Sequence, residues 1–264
     1  MLHSYPLKSK TIREKIQEQT VKSRAEKYVS EIITVSEFCK KGIKNNTKIK
    51  KGISVIYNGL EKCDHMTKQE KAEELQVRED ADFYIGMIAN FISNKGHMCV
   101  LKALKYLVYE KQMKIQLIII GNALELEYYT DIKKYIRDEG LEDYVSIKEG
   151  IFNAGKYTEC FDVVVVPSLE VESFGLVSLE AMMYSVPVIA HEMGGIPEVV
   201  LHEKNGFLIE VGNIEELCYK IKYLYDYPEI RKKMGNVGYK IWNQNFTAKV
   251  MCKKYIDYMR SYQS

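Results

Sequence analysis

Two glutamates, Glu172 and Glu180, follow an E-x7-E spacing around a Phe174-Gly175 turn. Carboxylates accept hydrogen bonds from hydroxyl groups, so such a pair suits a sugar or a ribose. A helix that begins near Gly175 would direct the backbone amides of residues 174–176 toward a phosphate. The stretch therefore predicts a site for a ligand with hydroxyl groups and phosphate. The alternative is that both acidic residues only complement the helix dipole.

Glycines and small polar residues follow several predicted strands, together with one lysine, Lys95. Ligands of an open parallel sheet bind beyond the carboxyl ends of its strands, so these loops form the candidate site. The chain lacks both G-x-G-x-x-G and G-x-x-x-x-G-K-[ST], which excludes the two best-known phosphate-binding loops. His97 and His191 lie in the same loops. For His191, a phosphate contact and a plain polar role are both open.

Short apolar runs alternate with helical patterns from residue 83 onward. Runs such as 117–120 and 163–166 are apolar on both faces, which is typical of parallel strands covered by helices on both sides. The pattern predicts the α/β class, with a doubly wound parallel sheet. The predicted strands are 83–89, 115–120, 145–148, 163–166, 188–190 and 207–209, and the predicted helices are 96–112, 125–139, 175–184, 195–201 and 214–226.

The chain before residue 83 predicts a smaller unit. Segments 31–36 and 53–57 have strand composition, and a short basic helix is expected at 37–44 between them. Segment 61–80 has helical composition without a strong apolar stripe. At the other end, the apolar residues of 247–262 predict a long amphipathic helix.

Length and charge limit the function classes. The chain has 264 residues and a formal net charge of +2, which indicates an ordinary globular protein too short for two complete α/β domains. Residues 8–51 carry 13 basic against 5 acidic residues. A capping box at Thr11 to Glu14 predicts a basic amphipathic helix there. It could contact anionic lipid or be a solvated helix face. Nucleic-acid binding is not expected, because interleaved aromatic residues are lacking.

The six cysteines contain no C-x-x-C pair, and the first ten residues have no apolar core typical of an export signal. No apolar run approaches the roughly 20 residues needed to span a bilayer. These features predict a cytoplasmic protein with reduced thiols and no metal site. Asp80-Ala-Asp82 has a D-x-D pattern, but it precedes a strand and lies opposite the ligand loops, so a structural role is expected.

Eight motifs in order resemble the retaining glycosyltransferases of family 4, which carry the group-1 glycosyl transferase domain with the GT-B fold. The motifs are ITVS at 33–36, VIYNG at 55–59, Lys95-Gly96, Pro167-Ser168, the E-x7-E pair with Phe174-Gly175, PVI at 187–189, GGIPE at 194–198 and NGFL at 205–208.

The resemblance implies a GT-B type fold with one complete Rossmann-like domain and a partial N-terminal one. It implies four parts. Residues 1–60 are the partial acceptor-side domain, 61–81 a linker, 82–242 the donor-binding domain, and 243–264 a C-terminal helix that packs back on the N-terminal part.

The same resemblance implies a nucleotide-sugar donor and roles for individual residues. Glu172 would be catalytic and hold hydroxyls of the transferred sugar, while Glu180 would bind the ribose. Lys95 would face the diphosphate. The remaining donor-binding positions are Gly121, Gly150, Ile151, Phe174, Gly175 and Leu176, with Gly150 and Ile151 near the base. Neither a metal nor a cofactor is implied.

The chain departs from the family pattern at three positions. Asn90 stands where many members have an arginine, Asn122 follows Gly121 in place of a second glycine, and Ser185 replaces a helix-ending glycine. The last change costs little unless Ser185 is left-handed.

The resemblance implies transfer to a glycan or lipid-linked acceptor with retention of configuration. Because only about 80 residues precede the donor domain, weak transfer is expected unless a partner chain supplies the missing half. Peripheral contact with the inner face of the membrane is a further expectation. The alternatives are a non-catalytic nucleotide-sugar-binding subunit or truncated fragment, and a sugar-nucleotide epimerase on the same fold.

Overall fold

The computed structural model describes residues 23–24, 27–47, 50–62 and 66–261. The strands are β1 (Glu31–Thr34), β2 (Gly52–Val55), β3 (Phe83–Ile88), β4 (Ile115–Ile120), β5 (Val145–Lys148), β6 (Val163–Val166), β7 (Val188–His191) and β8 (Gly206–Ile209). The helices are α1 (Glu37–Thr47), α2 (Lys68–Leu75), α3 (His97–Tyr109), α4 (Leu126–Asp138), α5 (Leu176–Met183), α6 (Ile214–Asp226), α7 (Pro228–Asn245) and α8 (Ala248–Ser261). The predicted capping box at Thr11 to Glu14 lies outside the described residues.

Six strands form one parallel sheet in the order β5-β4-β3-β6-β7-β8. The chain fills one half of the sheet from β3 through β4 to β5, and then returns to the other side of β3 to build β6, β7 and β8. The order therefore reverses between β3 and β6. The predicted α/β class with a doubly wound parallel sheet is confirmed.

The apolar runs are buried on both faces of the sheet. Along β4, Leu117 and Ile119 pack into one core cluster, while Ile118 and Ile120 pack into a second. Successive side chains of a strand point to opposite faces, so a strand covered on both sides has no polar face. This burial explains why the bounds of β4 and β6 match those predicted. The bounds of β5, an edge strand whose residues are only partly buried, match as well.

One predicted helix does not match the structure. The expected helix at 195–201 is wrong, because only a 3-10 turn forms, at Ile196–Glu198. The buried Asn205 side chain accepts from the Leu201 amide (2.7 Å) and donates to the Val199 carbonyl (3.1 Å), replacing helical hydrogen bonds. Helix α7 continues past residue 242 and ends before Phe246.

A small unit, residues 31–60, contains β1, α1 and β2 and precedes the large sheet. β1 and β2 pair in parallel, and Ile32, Ile43 and Ile53 form a small core beneath them. The division of the chain into domains stays a prediction. Among the described residues, no helix is both long and apolar enough to cross a bilayer.

The small unit is attached to the large one through the start of α1. The Glu198 carboxylate accepts hydrogen bonds from the backbone amides of Glu37 and Phe38, each at 2.8 Å. These amides belong to the group that a helix cannot satisfy internally, and the positive end of the helix dipole favours a carboxylate there. Burial and a hydrogen bond to Glu198 raise the pKa of Tyr57 to about 12. One side chain thus joins two units.

Helix α2 packs against the large sheet, whereas α8 begins at the small unit. In α2, Leu75 is fully buried, and the buried Lys71 ammonium lies 2.7 Å from the Glu159 carboxylate. The start of α8 is tied to the small unit, because Ala248 N donates to the Leu60 carbonyl at 3.1 Å. None of the residues of α8 is buried.

The Glu198→Ala substitution should lower the free energy of unfolding by about 1–3 kcal/mol, because it leaves two amides at the start of α1 without their charged acceptor. Urea unfolding measures this change. The matched control is Glu127→Ala, an exposed carboxylate in the first turn of α4, which should cost about 0.5 kcal/mol or less. Equal losses in the two variants would contradict the capping role.

Candidate functional site

A cavity of about 470 Å³ lies at the carboxyl edge of the sheet between β3 and β6. This is the point where the strand order reverses, which is where open α/β sheets bind ligands. Val35 and Asn58 of the small unit also line it. The other lining residues are Met87, Ile88, Ala89, Lys95, Val165, Val166, Pro167, Ser168, Glu170, Val171, Glu172, Ser173, Phe174, Gly175, Leu176 and Val177.

Lys95 enters this cavity from the loop after β3. It ends a 3-10 turn, Ser93–Lys95, and the next residue, Gly96, has φ +77°. A Cβ on Gly96 would lie 2.0 Å from the carbonyl oxygen of Pro167, so glycine is needed for the close approach of the two loops. Among the described residues that line the cavity, Lys95 is the one cation.

Glu172 faces Lys95 across the cavity. Its Oε1 forms an ion pair with the Lys95 ammonium and accepts a hydrogen bond from the Ser168 hydroxyl at 2.7 Å. Its backbone carbonyl accepts from the Gly195 amide at 2.8 Å. Gly194, at φ +59°, packs so closely that a Cβ would lie 2.0 Å from that carbonyl oxygen. The GGIPE motif therefore supports the loop that carries Glu172.

The N-terminus of α5 opens into the same cavity. Gly175 precedes the helix, and no side chain among the described residues caps it. Leu176 and Val177 line the cavity, so their end of the helix presents a positive dipole to a ligand. Phe174 is buried, and its ring stacks on Tyr57 with centroids 5.7 Å apart. Phe174 therefore anchors the turn to the small unit.

Glu180 lies further along α5 and lines a second cavity, of about 50 Å³. Leu60, Asn153, Gly155 and Lys156 are among its other lining residues. Burial raises the pKa of the Glu180 carboxyl to about 7. The two glutamates of the E-x7-E pair thus occupy separate cavities and differ in environment.

Gly121, Gly150 and Ile151 are brought together by a chain of hydrogen bonds that the sequence did not reveal. The Asn122 amide donates to Asn90 Oδ1 at 2.9 Å, and the Gly150 amide donates to Asn122 Oδ1 at 2.8 Å. Asn90, where the family commonly has arginine, thus ties the loops after β3, β4 and β5 together. In the sequence, the polar side chain of Asn90 shortly after the apolar run of β3 was the feature that could have indicated these contacts.

Neither ligand-side histidine is directed at the cavity. His191 is buried, and its Nδ1 donates to the Ser168 carbonyl (2.9 Å) while its Nε2 accepts from the Gly212 amide (3.3 Å). Burial lowers the pKa of His191. A ring whose Nε2 accepts a hydrogen bond is the neutral form. Burial also lowers the pKa of His97 to about 4, and this ring stacks on Phe91. For His191, the polar structural role is the one the geometry shows.

Ser185 and Asp80 both have structural roles outside the cavity. Ser185 has φ +59°, the left-handed conformation that makes its replacement of glycine costly, by about 1 kcal/mol. Asp80 forms a 2.7 Å ion pair with Arg78, and this interaction lowers the pKa of the Asp80 carboxyl. It lies before β3, at the edge of the sheet opposite the cavity.

The Gly194→Ala variant should lose more stability than a matched variant, Gly212→Ala. Both glycines have positive φ, but no heavy atom of the described residues lies within 4 Å of a Cβ on Gly212. Gly212→Ala should therefore cost only the backbone strain, about 1–2 kcal/mol. Gly194→Ala adds the clash with the Glu172 carbonyl. Urea unfolding measures the loss of unfolding free energy in both variants. Equal losses would show that the loop carrying Glu172 moves aside without cost.

The buried Glu180 carboxyl should make stability depend on pH. Its folded pKa is about 7, above the ordinary value of 4.5, so the folded state holds a proton that the unfolded state releases. The free energy of unfolding should therefore fall as pH rises from 4.5 to 7, by on the order of 2–3 kcal/mol. Glu180→Gln should remove this fall, whereas the exposed Glu127→Gln should keep it. Denaturant unfolding from pH 4.5 to 8 measures both.

Comparison with known proteins places this geometry in a family. The glycosyl transferases group 1 model matches residues 67–241. The chain is 27% identical over 231 residues to the capsular polysaccharide biosynthesis glycosyltransferase CapM of Staphylococcus aureus, covering 84% of this chain and 59% of CapM. It is 28% identical over 210 residues to the N-acetyl-alpha-D-glucosaminyl L-malate synthase of Bacillus anthracis, covering 79% and 53%. It thus spans between half and three fifths of these relatives.

Solved structures agree on the fold. HepE of Anabaena in complex with UDP superimposes with a TM-score of 0.87 at 23% identity, over 98% of this chain and 71% of HepE. The C-terminal domain of the group 1 glycosyl transferase LpcC of Francisella tularensis gives 0.60 at 22% identity, over 70% of this chain and 95% of that domain. The predicted GT-B type fold is confirmed. Since the family model covers well over half of the 264 residues, the chain belongs to the glycosyl transferases group 1 family.

Proposed function

We propose that this chain binds a nucleoside-diphosphate sugar in the 470 Å³ cavity and takes part in transferring the sugar with retention of configuration, as in glycosyltransferases of family 4. One observation carries the proposal. A cation, a carboxylate and a helix N-terminus converge in one cavity at the reversal point of the sheet. HepE, whose fold the chain shares, is described in complex with UDP and glucose.

The diphosphate would lie between Lys95 and the start of α5. Lys95 places a positive charge in the cavity, and the start of α5 directs the positive end of the helix dipole toward it. The amides near Leu176 can donate to phosphate oxygens. When the bond between sugar and phosphate breaks, negative charge develops on the departing nucleoside diphosphate. Fixed positive groups stabilise that charge without rearrangement. This arrangement supports a reaction that uses no metal or cofactor, which stays a prediction.

Glu172 is the proposed catalytic residue. Its carboxylate lies beside Lys95 in the cavity, where a sugar attached to the diphosphate would place its hydroxyl groups. Hydroxyl groups donate to a carboxylate in short, strong hydrogen bonds, so Glu172 would orient the sugar for transfer.

The nucleoside is proposed to extend from the diphosphate toward Glu180, Gly150 and Ile151, with Gly121 at the border of the pocket. Glu180 lies four residues after Leu176, about 6 Å along α5, which is within reach of a ribose. No heavy atom of the described residues lies within 4 Å of a Cβ position on Gly150, so a base has room there.

The acceptor is proposed to be a glycan or a lipid-linked sugar. The small unit contributes Val35 and Asn58 to the cavity, and this chain spans little more than half of the relatives compared above. We propose that a partner chain contributes to the transfer, and that the protein works in the cytoplasm at the inner face of the membrane. The alternative is a subunit that binds nucleotide sugar without transferring it.

Replacing Lys95 tests the donor site directly. Lys95→Gln should weaken binding of the cognate nucleoside diphosphate at least about tenfold, since it removes the cavity's cation. The matched control, Lys102→Gln on the exposed face of α3, should have little effect. Calorimetry with uridine, guanosine, adenosine and thymidine diphosphates and their glucose conjugates measures both. Equal effects of the two substitutions, or no binding by the unaltered protein, would overturn the proposal.

Incubation with the bound nucleotide sugar and candidate acceptors separates the two functions. A product whose anomeric configuration, read by NMR, matches the donor supports retaining transfer. Donor binding without transfer to any acceptor would favour the non-catalytic subunit.

A further inference from the structure

Lys95 and Glu172 are paired with each other in the cavity. The Lys95 ammonium and Glu172 Oε1 are in direct contact, and the two side chains are 31% and 22% exposed. These are the groups that the proposed function assigns to the diphosphate and to the sugar. In this ion pair, Glu172 occupies the position next to Lys95 that the diphosphate would take, and Lys95 occupies the position next to Glu172 that the sugar hydroxyls would take.

Glu172 is held more firmly than Lys95. The Ser168 hydroxyl donates to Glu172 Oε1 at 2.7 Å, and the Ser168 carbonyl accepts from His191 Nδ1 at 2.9 Å. Ser168 and His191 are both almost fully buried, and His191 accepts in turn from the Gly212 amide. This framework fixes the carboxylate from the side of β6 and β7. Lys95 reaches it across the cavity on a flexible four-carbon stem.

We propose that the ion pair competes with the diphosphate and thereby makes the site favour the intact sugar donor over the nucleoside diphosphate product. The inference rests on the proposed function. A diphosphate draws Lys95 away from Glu172. If a sugar is attached, its hydroxyls donate to Glu172 and replace the lost cation. If no sugar is attached, Glu172 keeps only Ser168, and a half-buried carboxylate without its cation is costly.

The consequence is a site that releases its own product. After transfer, the sugar hydroxyls leave Glu172, and the carboxylate again attracts Lys95. The re-formed pair weakens the hold on the diphosphate. Ser168 acts as a positioning residue, since its hydroxyl keeps Glu172 in place during the exchange.

Glu172→Gln separates the two affinities. The amide cannot form an ion pair with Lys95, so the nucleoside diphosphate should bind roughly three- to tenfold tighter than it does to the unaltered protein. The affinity ratio of donor to product should fall, because the amide is a weaker acceptor for sugar hydroxyls. The probes are uridine, guanosine, adenosine and thymidine diphosphates, each paired with its glucose conjugate, measured by calorimetry.

Glu170→Gln is the matched control. Glu170 lines the same cavity, but its carboxylate accepts from the Asn94 amide group at 3.2 Å. Its replacement removes one negative charge from the cavity and keeps the Lys95–Glu172 pair. It should shift the affinities for donor and product by one common factor, with the ratio unchanged.

Ser168→Ala and Ser168→Thr test the positioning role. Ser168→Ala should lower the ratio of donor to product affinity, and Ser168→Thr, which keeps the hydroxyl, should restore it. Circular dichroism confirms that both are folded. A loss shared equally by the Ala and Thr variants would indicate a packing role for Ser168.

The outcomes distinguish the inference from the function on which it rests. If the unaltered protein binds the donor but Glu172→Gln does not tighten the diphosphate, or if Glu170→Gln changes the ratio equally, the inference is wrong and the proposed function stands. If the unaltered protein binds none of the probes, the proposed function fails and the inference with it.

Discussion

A carboxylate at the start of a helix, Glu198, helps to connect the two units of this protein. Glu198 accepts from two backbone amides of α1, donors that the helix cannot satisfy itself. Glu198 also ends the GGIPE turn, whose glycines press against the backbone of Glu172 and Ser173. The interaction that attaches the small unit therefore lies beside the loop that carries the proposed catalytic residue.

The cavity derives its chemistry from the reversal of strand order. Because β6 is inserted beside β3, the loop with Lys95 and the loop with Glu172 meet, although 77 positions separate these residues. Positive charge, negative charge and a helix N-terminus then share one small volume. Such a site is well suited to a ligand that is itself divided into an anionic and a hydroxyl-rich part.

The fold was largely predictable, and the supporting contacts of the site were not. Strands such as β4 and β6 are buried on both faces, so their sequences contain little besides β-branched and aliphatic residues. Helix α7 was missed because Gly235 and Gly238 on its buried side disguise the apolar period. The rule for open sheets indicated that Lys95 and Glu172 would converge. It could not indicate that Ser168 and His191 hold Glu172, or that Asn90 replaces an expected arginine with a hydrogen bond between loops.

The amino-acid sequence by itself determined the α/β class, most strand bounds and the residue types at the ligand loops, since these depend on local apolar pattern and on the order of elements. Tertiary structure decided which groups face each other and what their charge states are. The pKa of His191 is lowered and that of Glu180 is raised because residues from distant segments bury them. Burial and partner geometry arise only when segments remote in the chain pack together, so no local pattern records them.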